Sequence, residues 1–167
     1  RVLIVEDDEA ERIALTAVLG MEPSYEVIAA SDCTKALAIA LENPPAIIIS
    51  DIYMPGISGL ELCKRVKGDV RLKNTMFILL SGSVEVKDRI EGFDSGVDDY
   101  VSKPINVDEL LSRVGASLRV KVMNDELSQE RKALAELNRT LEESYSGILR
   151  LLVQLIGLRI PNATARA

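Results

Sequence analysis

Short runs of aliphatic and β-branched residues alternate along the chain with stretches whose apolar positions recur at helical spacing. Residues 2–5 are followed by a helical pattern over 9–19, residues 25–29 by one over 34–41, and residues 46–49 by one over 59–67. Two more pairs complete the series: 76–80 with 84–93, and 98–101 with a helix opening near Val107. Five βα units predict an α/β fold with a parallel sheet. Strands apolar on both faces need helices against both, which makes the sheet doubly wound, and right-handed crossovers leave few topologies.

Local signals agree with these boundaries. Ser31 or Asp32 can accept hydrogen bonds from the free N–H groups opening the second helix, and Pro44-Pro45 blocks its continuation. Asn106 can cap the last helix, with Asp108 and Glu109 in its favourable first turn. Beyond about residue 119 the alternation stops and no turn signal interrupts residues 110–147. A heptad frame runs through Val120, Met123, Leu127, Glu130, Leu134, Leu137, Leu141, Ser144, Ile148, Leu151, Leu155 and Leu158, apolar at all but Glu130 and Ser144. Residues 128–143 are almost wholly polar outside that seam, so the pattern predicts a parallel coiled coil and a homodimer through this helix. The alternative is an amphipathic helix folded back on its own sheet. Pro161 ends the helical pattern, giving domains at 1–119, 120–160 as the coiled coil, and 161–167 as a disordered or truncated terminus.

Composition narrows the chemistry. With 167 residues, 47% hydrophobic and 28% charged, the chain can build one proper core plus an extension. The net charge of −6 is uneven: residues 1–120 carry 13 basic and 20 acidic groups, residues 121–167 carry 7 and 6. An acidic body argues against direct nucleic-acid binding. The absence of His removes His-based acid/base catalysis, His metal ligands and a His phosphocarrier. Cys33 and Cys63, 30 residues apart without a CxxC, read as buried thiols of a reducing compartment rather than a zinc site. No apolar run is long enough for a membrane span or signal peptide, so the expectation is a cytoplasmic protein without a membrane partner. The chain does not start with Met, which suggests a trimmed product or fragment.

Ligands of open α/β sheets bind beyond the carboxyl ends of the strands. At those ends stand Glu6, Asp7 and Asp8, then Asp51, then Ser81, then Lys103 followed by Pro104. Carboxylates gathered in this way need a compensating cation, and hard oxygen ligands suit Mg²⁺. Asp8 is open to two readings, a further acidic ligand or the cap of the first helix.

These residues resemble a response-regulator receiver domain over 1–119. The matching text is Val5-Glu6-Asp7-Asp8, Asp51-Ile52-Tyr53-Met54-Pro55-Gly56-Ile57-Ser58-Gly59, Leu80-Ser81-Gly82, and Asp98-Asp99-Tyr100-Val101-Ser102-Lys103-Pro104. The separations of 44 residues from Asp7 to Asp51, 30 from Asp51 to Ser81 and 52 from Asp51 to Lys103 also fit. The resemblance implies a flavodoxin-like five-stranded sheet of order 2-1-3-4-5, with a long C-terminal helix. It implies Asp51 as phosphoacceptor and a Mg²⁺ ion held directly by Asp7, by Asp51, by Glu6 through water or from an adjacent position, and by the Tyr53 carbonyl. Lys103 would pair with the acyl phosphate, Ser81 would hydrogen-bond a phosphoryl oxygen, and Tyr100 would turn inward on activation. The Lys103–Pro104 bond is expected to be cis. Glu6 departs from the commoner Asp, and Ser81 from the commoner Thr.

The implied partners are a sensor histidine kinase or phosphotransfer protein and an output domain that the sequence does not identify. Residues 148–161 also resemble the lead-in helix of an HD-type phosphohydrolase output domain, through the Arg159-Ile160-Pro161 step. Without His, the catalytic part of such a domain would be missing or degenerate here. The implied role is regulatory: the chain's own chemistry is limited to its phosphorylation and dephosphorylation. Two other classes compete. A haloacid-dehalogenase-type hydrolase would carry an acid/base Asp at position 53, where Tyr53 stands. An inert, receiver-like dimerisation module would have no use for Asp7, Asp51, Ser81 and Lys103 together.

Overall fold

The alternation of side chains along the strands divides the interior into two apolar layers, one on each face of the sheet. The computed structural model describes residues 1–82 and 96–155. In β1 (Val2–Val5), Leu3 and Val5 join one cluster while Val2 and Ile4 join the other. β3 (Ile47–Asp51) splits likewise into Ile48 against Ile47 and Ile49, and β4 (Met76–Ser81) into Phe77 and Leu79 against Met76, Ile78 and Leu80. Every residue of these three strands is buried. β2 (Val27–Ala30) and β5 (Asp99–Ser102), at the two edges, are only partly covered.

The sheet is parallel throughout, in the order β2-β1-β3-β4-β5. One layer is closed by α2 (Cys33–Glu42) and α3 (Gly59–Gly68), through Ala36, Ala40, Leu62, Cys63 and Val66. The other is closed by α1 (Glu9–Gly20) and by the start of α4 (Val107–Leu155), through Leu15, Leu19, Leu110 and Val114. This is the doubly wound arrangement that the apolar strands predict. The helix expected over 84–93 lies outside the described residues, as do Leu158, Pro161 and the terminus after Leu155.

α1, α2 and α4 open on side-chain caps. Asp8 accepts from the Glu11 N–H at 2.9 Å, Asp32 from Lys35 at 2.8 Å, and Asn106 from Glu109 at 3.0 Å. Asp32, rather than Ser31, is the cap of α2. Strand boundaries differ from the sequence pattern by a residue or two. Tyr25 donates its N–H to Glu22 in a turn, so β2 starts at Val27, and β3 and β4 each extend to a polar residue because parallel pairing continues to Asp51 and Ser81.

Two compact units divide the chain, Arg1–Met123 and Asn124–Ala167. The first contains the sheet. In the second, the described residues are helical, and Leu127, Leu134, Leu137, Leu141, Ile148, Leu151 and Leu155 are between 46% and 82% exposed. Among the described residues no helix is long and apolar enough to cross a membrane.

One glycine is required by close packing where β3 hands over to α3. A Cβ at Gly59 would sit 2.1 Å from the Asp51 carbonyl oxygen and 2.9 Å from Ser50 Oγ, closer than any side chain can approach. Gly59→Ala is therefore expected to destabilise the protein by about 1–3 kcal/mol or more, as overpacking does. A urea titration reads this as a lowered midpoint, and an unchanged midpoint would contradict the close approach.

Candidate functional site

In this strand order the chain leaves β1 toward one edge and β3 toward the other, and the crevice beyond their carboxyl ends is where such sheets bind ligands. Glu6 and Asp7 follow β1, and Asp51 is the last residue of β3. Carboxylate oxygens of these three residues lie within 4.8 Å of one another. Glu6 is 1% exposed and Asp51 8%, while Asp7 faces solvent. The backbone N–H of Tyr53 donates to Asp51 Oδ1 at 3.3 Å.

Lys103, just beyond β5, supplies the cation. Its Nζ donates to Asp51 Oδ2 at 2.6 Å, to Glu11 Oε2 at 2.7 Å and to Glu6 Oε2 at 3.2 Å. Its backbone N–H donates to the Ser81 carbonyl at 2.7 Å, so the ends of β4 and β5 fix the lysine from below. The peptide bond to Pro104 is cis. Burial alone would lower the ammonium's pKa, but the bonds to Asp51, Glu11 and Glu6 outweigh it and hold the group well above its ordinary range.

A second cation, Arg12, donates to the backbone carbonyls of Glu6 at 2.9 Å and Asp7 at 3.1 Å, and so clasps the acidic loop. Within that loop the bonds close into a ring. Glu6 Oε1 accepts from the Asp8 N–H at 3.2 Å and Asp8 Oδ1 accepts from the Glu11 N–H. Glu11 and the second Glu6 oxygen both accept from Lys103.

The structure thus brings together Glu6, Asp7, Asp51 and Lys103 of the residues singled out by sequence. Ser81 is buried at the end of β4, opposite Ser102. Tyr100 is half-buried against the layer under α2 and α3, and the Tyr53 side chain is exposed. Of the two readings of Asp8, the structure shows the cap, outside the carboxylate cluster. Glu11 was not singled out. In sequence it is only an acidic residue in a helix's first turn, and its contact with Lys103 spans 92 positions.

A family model described as the response regulator receiver domain matches residues 2–115. The DNA-binding dual master transcriptional regulator RpaA of Synechocystis is 38% identical over 119 residues, covering 71% of this chain and 49% of that protein. The response regulator PleD of Caulobacter vibrioides is 39% identical over 129 residues, 77% of this chain and 28% of that one. The chain therefore spans half or less of the length of these curated relatives. Among solved structures, the Vibrio cholerae chemotaxis protein CheY4 superposes with a TM-score of 0.66 at 31% identity, over 70% of this chain and 96% of that one. The signal receiver domain of an HD domain-containing protein from Pseudomonas fluorescens Pf-5 gives 0.69 at 27% identity, over 75% and 90%.

The donor set fits a hard divalent cation: three carboxylates, no nitrogen or sulfur ligand, and one ammonium shared by two of them, Glu6 and Asp51. Burial pushes the Glu6 carboxyl above its ordinary value, against the opposing pull of Lys103. Relative to an unfolded chain titrating at 4.5, this residue favours the fold below that pH and ceases to do so as pH rises through its raised value. Glu6→Gln is accordingly expected to raise the urea midpoint at neutral pH in the presence of a chelator, with the advantage shrinking as pH falls through the raised Glu6 value and gone below 4.5. A variant less stable than wild type at neutral pH would contradict the stated balance.

Proposed function

The chain belongs to the response-regulator receiver family, and from that premise we propose that it is a phosphorylation-dependent switch whose phosphoacceptor is Asp51. The observation that carries this reading is the pairing of Asp51 with Lys103 at 2.6 Å inside an acidic crevice at the carboxyl ends of β1 and β3.

Asp51 attacks the phosphorus of a histidine kinase's phosphohistidine, a phosphotransfer protein or a small phosphodonor. One Asp51 oxygen–phosphorus bond forms, the bond from phosphorus to the donor's leaving atom breaks, and an aspartyl phosphate results. An incoming phosphoryl group meets three carboxylates, and Lys103 offsets part of that repulsion by donating to one of its oxygens. Asp7, Glu6, Asp51 and the Tyr53 carbonyl would hold Mg²⁺, which would supply the remaining positive charge. Ser81, at the end of β4, then donates to a phosphoryl oxygen, and Tyr100 on the neighbouring strand shifts into the space this leaves. We place this chemistry in the cytoplasm, where two-component phosphotransfer operates.

The signal leaves through the C-terminal helix toward an output domain. The exposed seam from Leu127 to Leu155 supports a parallel two-stranded coiled coil and hence a homodimer. Each buried seam side chain contributes about 1.5–3 kcal/mol. Seven per strand outweigh an association cost of about 4–15 kcal/mol. A second reading of the output is an HD-type phosphohydrolase domain, favoured by the likeness to the receiver of an HD domain-containing protein and by the Arg159-Ile160-Pro161 step.

Intact-mass spectrometry after acetyl phosphate and Mg²⁺ is expected to show one added phosphate, absent in Asp51→Asn. Equal labelling of that variant would sink the assignment, and no labelling of wild type would favour an inert dimerisation module. Light scattering is expected to report a dimer for the full chain and a monomer for the Leu134→Lys/Leu141→Lys double variant; a monomeric wild type would favour the folded-back helix.

A further inference from the structure

An ammonium group has three N–H donors, and in Lys103 all three are committed, to Asp51, Glu11 and Glu6. For Lys103 to reach an incoming phosphoryl oxygen, one acceptor must let go. Glu6 is a poor choice, because it is 1% exposed and its other oxygen is tied to the Asp8 N–H. Releasing it would strand a buried carboxylate. Asp51 is the attacking group and has to stay close.

Glu11 differs from both. Its side chain is 49% exposed, so its carboxylate can exchange the lysine for water at little cost. Its backbone is held independently, since its N–H is bonded to the Asp8 cap, and its departure leaves α1 intact. The 2.7 Å contact also holds part of the Lys103 ammonium on this half-exposed carboxylate rather than on the buried ones alone.

We propose that Glu11 is a positioning residue for the phosphoryl-transfer site: it occupies the Lys103 N–H that a phosphoryl oxygen later takes, and so sets how readily the site accepts a phosphodonor. The inference rests on the reading of Asp51 and Lys103 given above. Glu11 touches Lys103 and not the reacting atoms. With Glu11 in place, a donor has to displace one carboxylate before it gains its hydrogen bond. Without it, that N–H is available on arrival.

Two substitutions separate this competition from a simple charge effect. Glu11→Ala removes the acceptor and the charge, and Ala preserves the helix. Glu11→Gln removes the charge and keeps an acceptor oxygen. In Glu11→Ala the half-saturating concentration of acetyl phosphate is expected to fall about two- to fivefold, the size of a half-exposed ion pair. The change should appear there rather than in the maximal rate, with Glu11→Gln falling between Ala and wild type. Beryllofluoride binding in the presence of Mg²⁺, measured by calorimetry, should tighten in the same order without any chemistry taking place. Unchanged or weakened half-saturation and beryllofluoride affinity in Glu11→Ala would overturn the proposal, as would identical values for Ala and Gln. An Asp51→Asn control keeps the two readings apart. If that variant is inert while Glu11→Ala behaves as wild type, only the role of Glu11 fails; if it still accepts phosphate, the phosphoacceptor reading fails with it.

Discussion

Carboxylates repel one another, and the oxygens of Glu6, Asp7 and Asp51 nevertheless lie within 4.8 Å. The rest of the first unit can be understood as the apparatus that makes this tolerable. Lys103 is the one ammonium that reaches the cluster among the described residues, and it does so only because β4 and β5 place its backbone beside Ser81. Arg12 adds a second cation without entering the cluster, by bonding the carbonyls of the loop that carries two of the acids. Burial holds the Glu6 carboxyl above its ordinary value even with Lys103 beside it. An excess of negative charge of this kind favours cations, and on the proposed reading a phosphoryl group enters the crevice only together with positive charge.

The two-layer core gives that arrangement its rigidity. Because β1, β3 and β4 are buried on both faces, their carboxyl ends are held together, and strand pairing places Asp51 and the backbone of Lys103 within reach of one another. Gly59 serves the same end, bringing α3 against the carbonyl of Asp51 where a methyl group would not fit. The precision of the acidic crevice is therefore a property of apolar packing some distance beneath it.

Much of this was legible in the residue pattern. The β-branched runs identified the strands, and their apolarity on both faces identified the layers. The acidic and basic residues at strand ends marked the crevice, because a parallel sheet delivers all its carboxyl ends to one side. What the pattern could not convey was tertiary proximity between elements distant in sequence. Glu11 looks like an ordinary first-turn acid favoured by the helix dipole until β5 brings Lys103 beside it. Arg12 looks like a solvent-facing helix residue until it is seen turned back on the preceding loop. Asp8 carried two meanings in sequence because the same carboxylate can cap a helix or bind a cation, and only the position of the Glu11 N–H separates them. The strand limits at Asp51 and Ser81 depended on how far the neighbouring strand continued, which no single segment contains.

The ring of hydrogen bonds through Glu6, Asp8, Glu11 and Lys103 has a consequence for how this sequence can change over evolutionary time. Each member takes its position from the one before it: Glu6 from Asp8, Asp8 from the first turn of α1, Glu11 from that turn, and Lys103 from both glutamates. Substitutions within such a circuit do not add. A replacement at position 8 alters the background against which one at position 11 is tested, and both alter what position 6 can tolerate. Drift through this loop is therefore expected to be contingent, with residues acceptable in one order of replacement and damaging in another. The Glu at position 6 and the Glu at position 11 are better regarded as one inherited unit than as two independent choices.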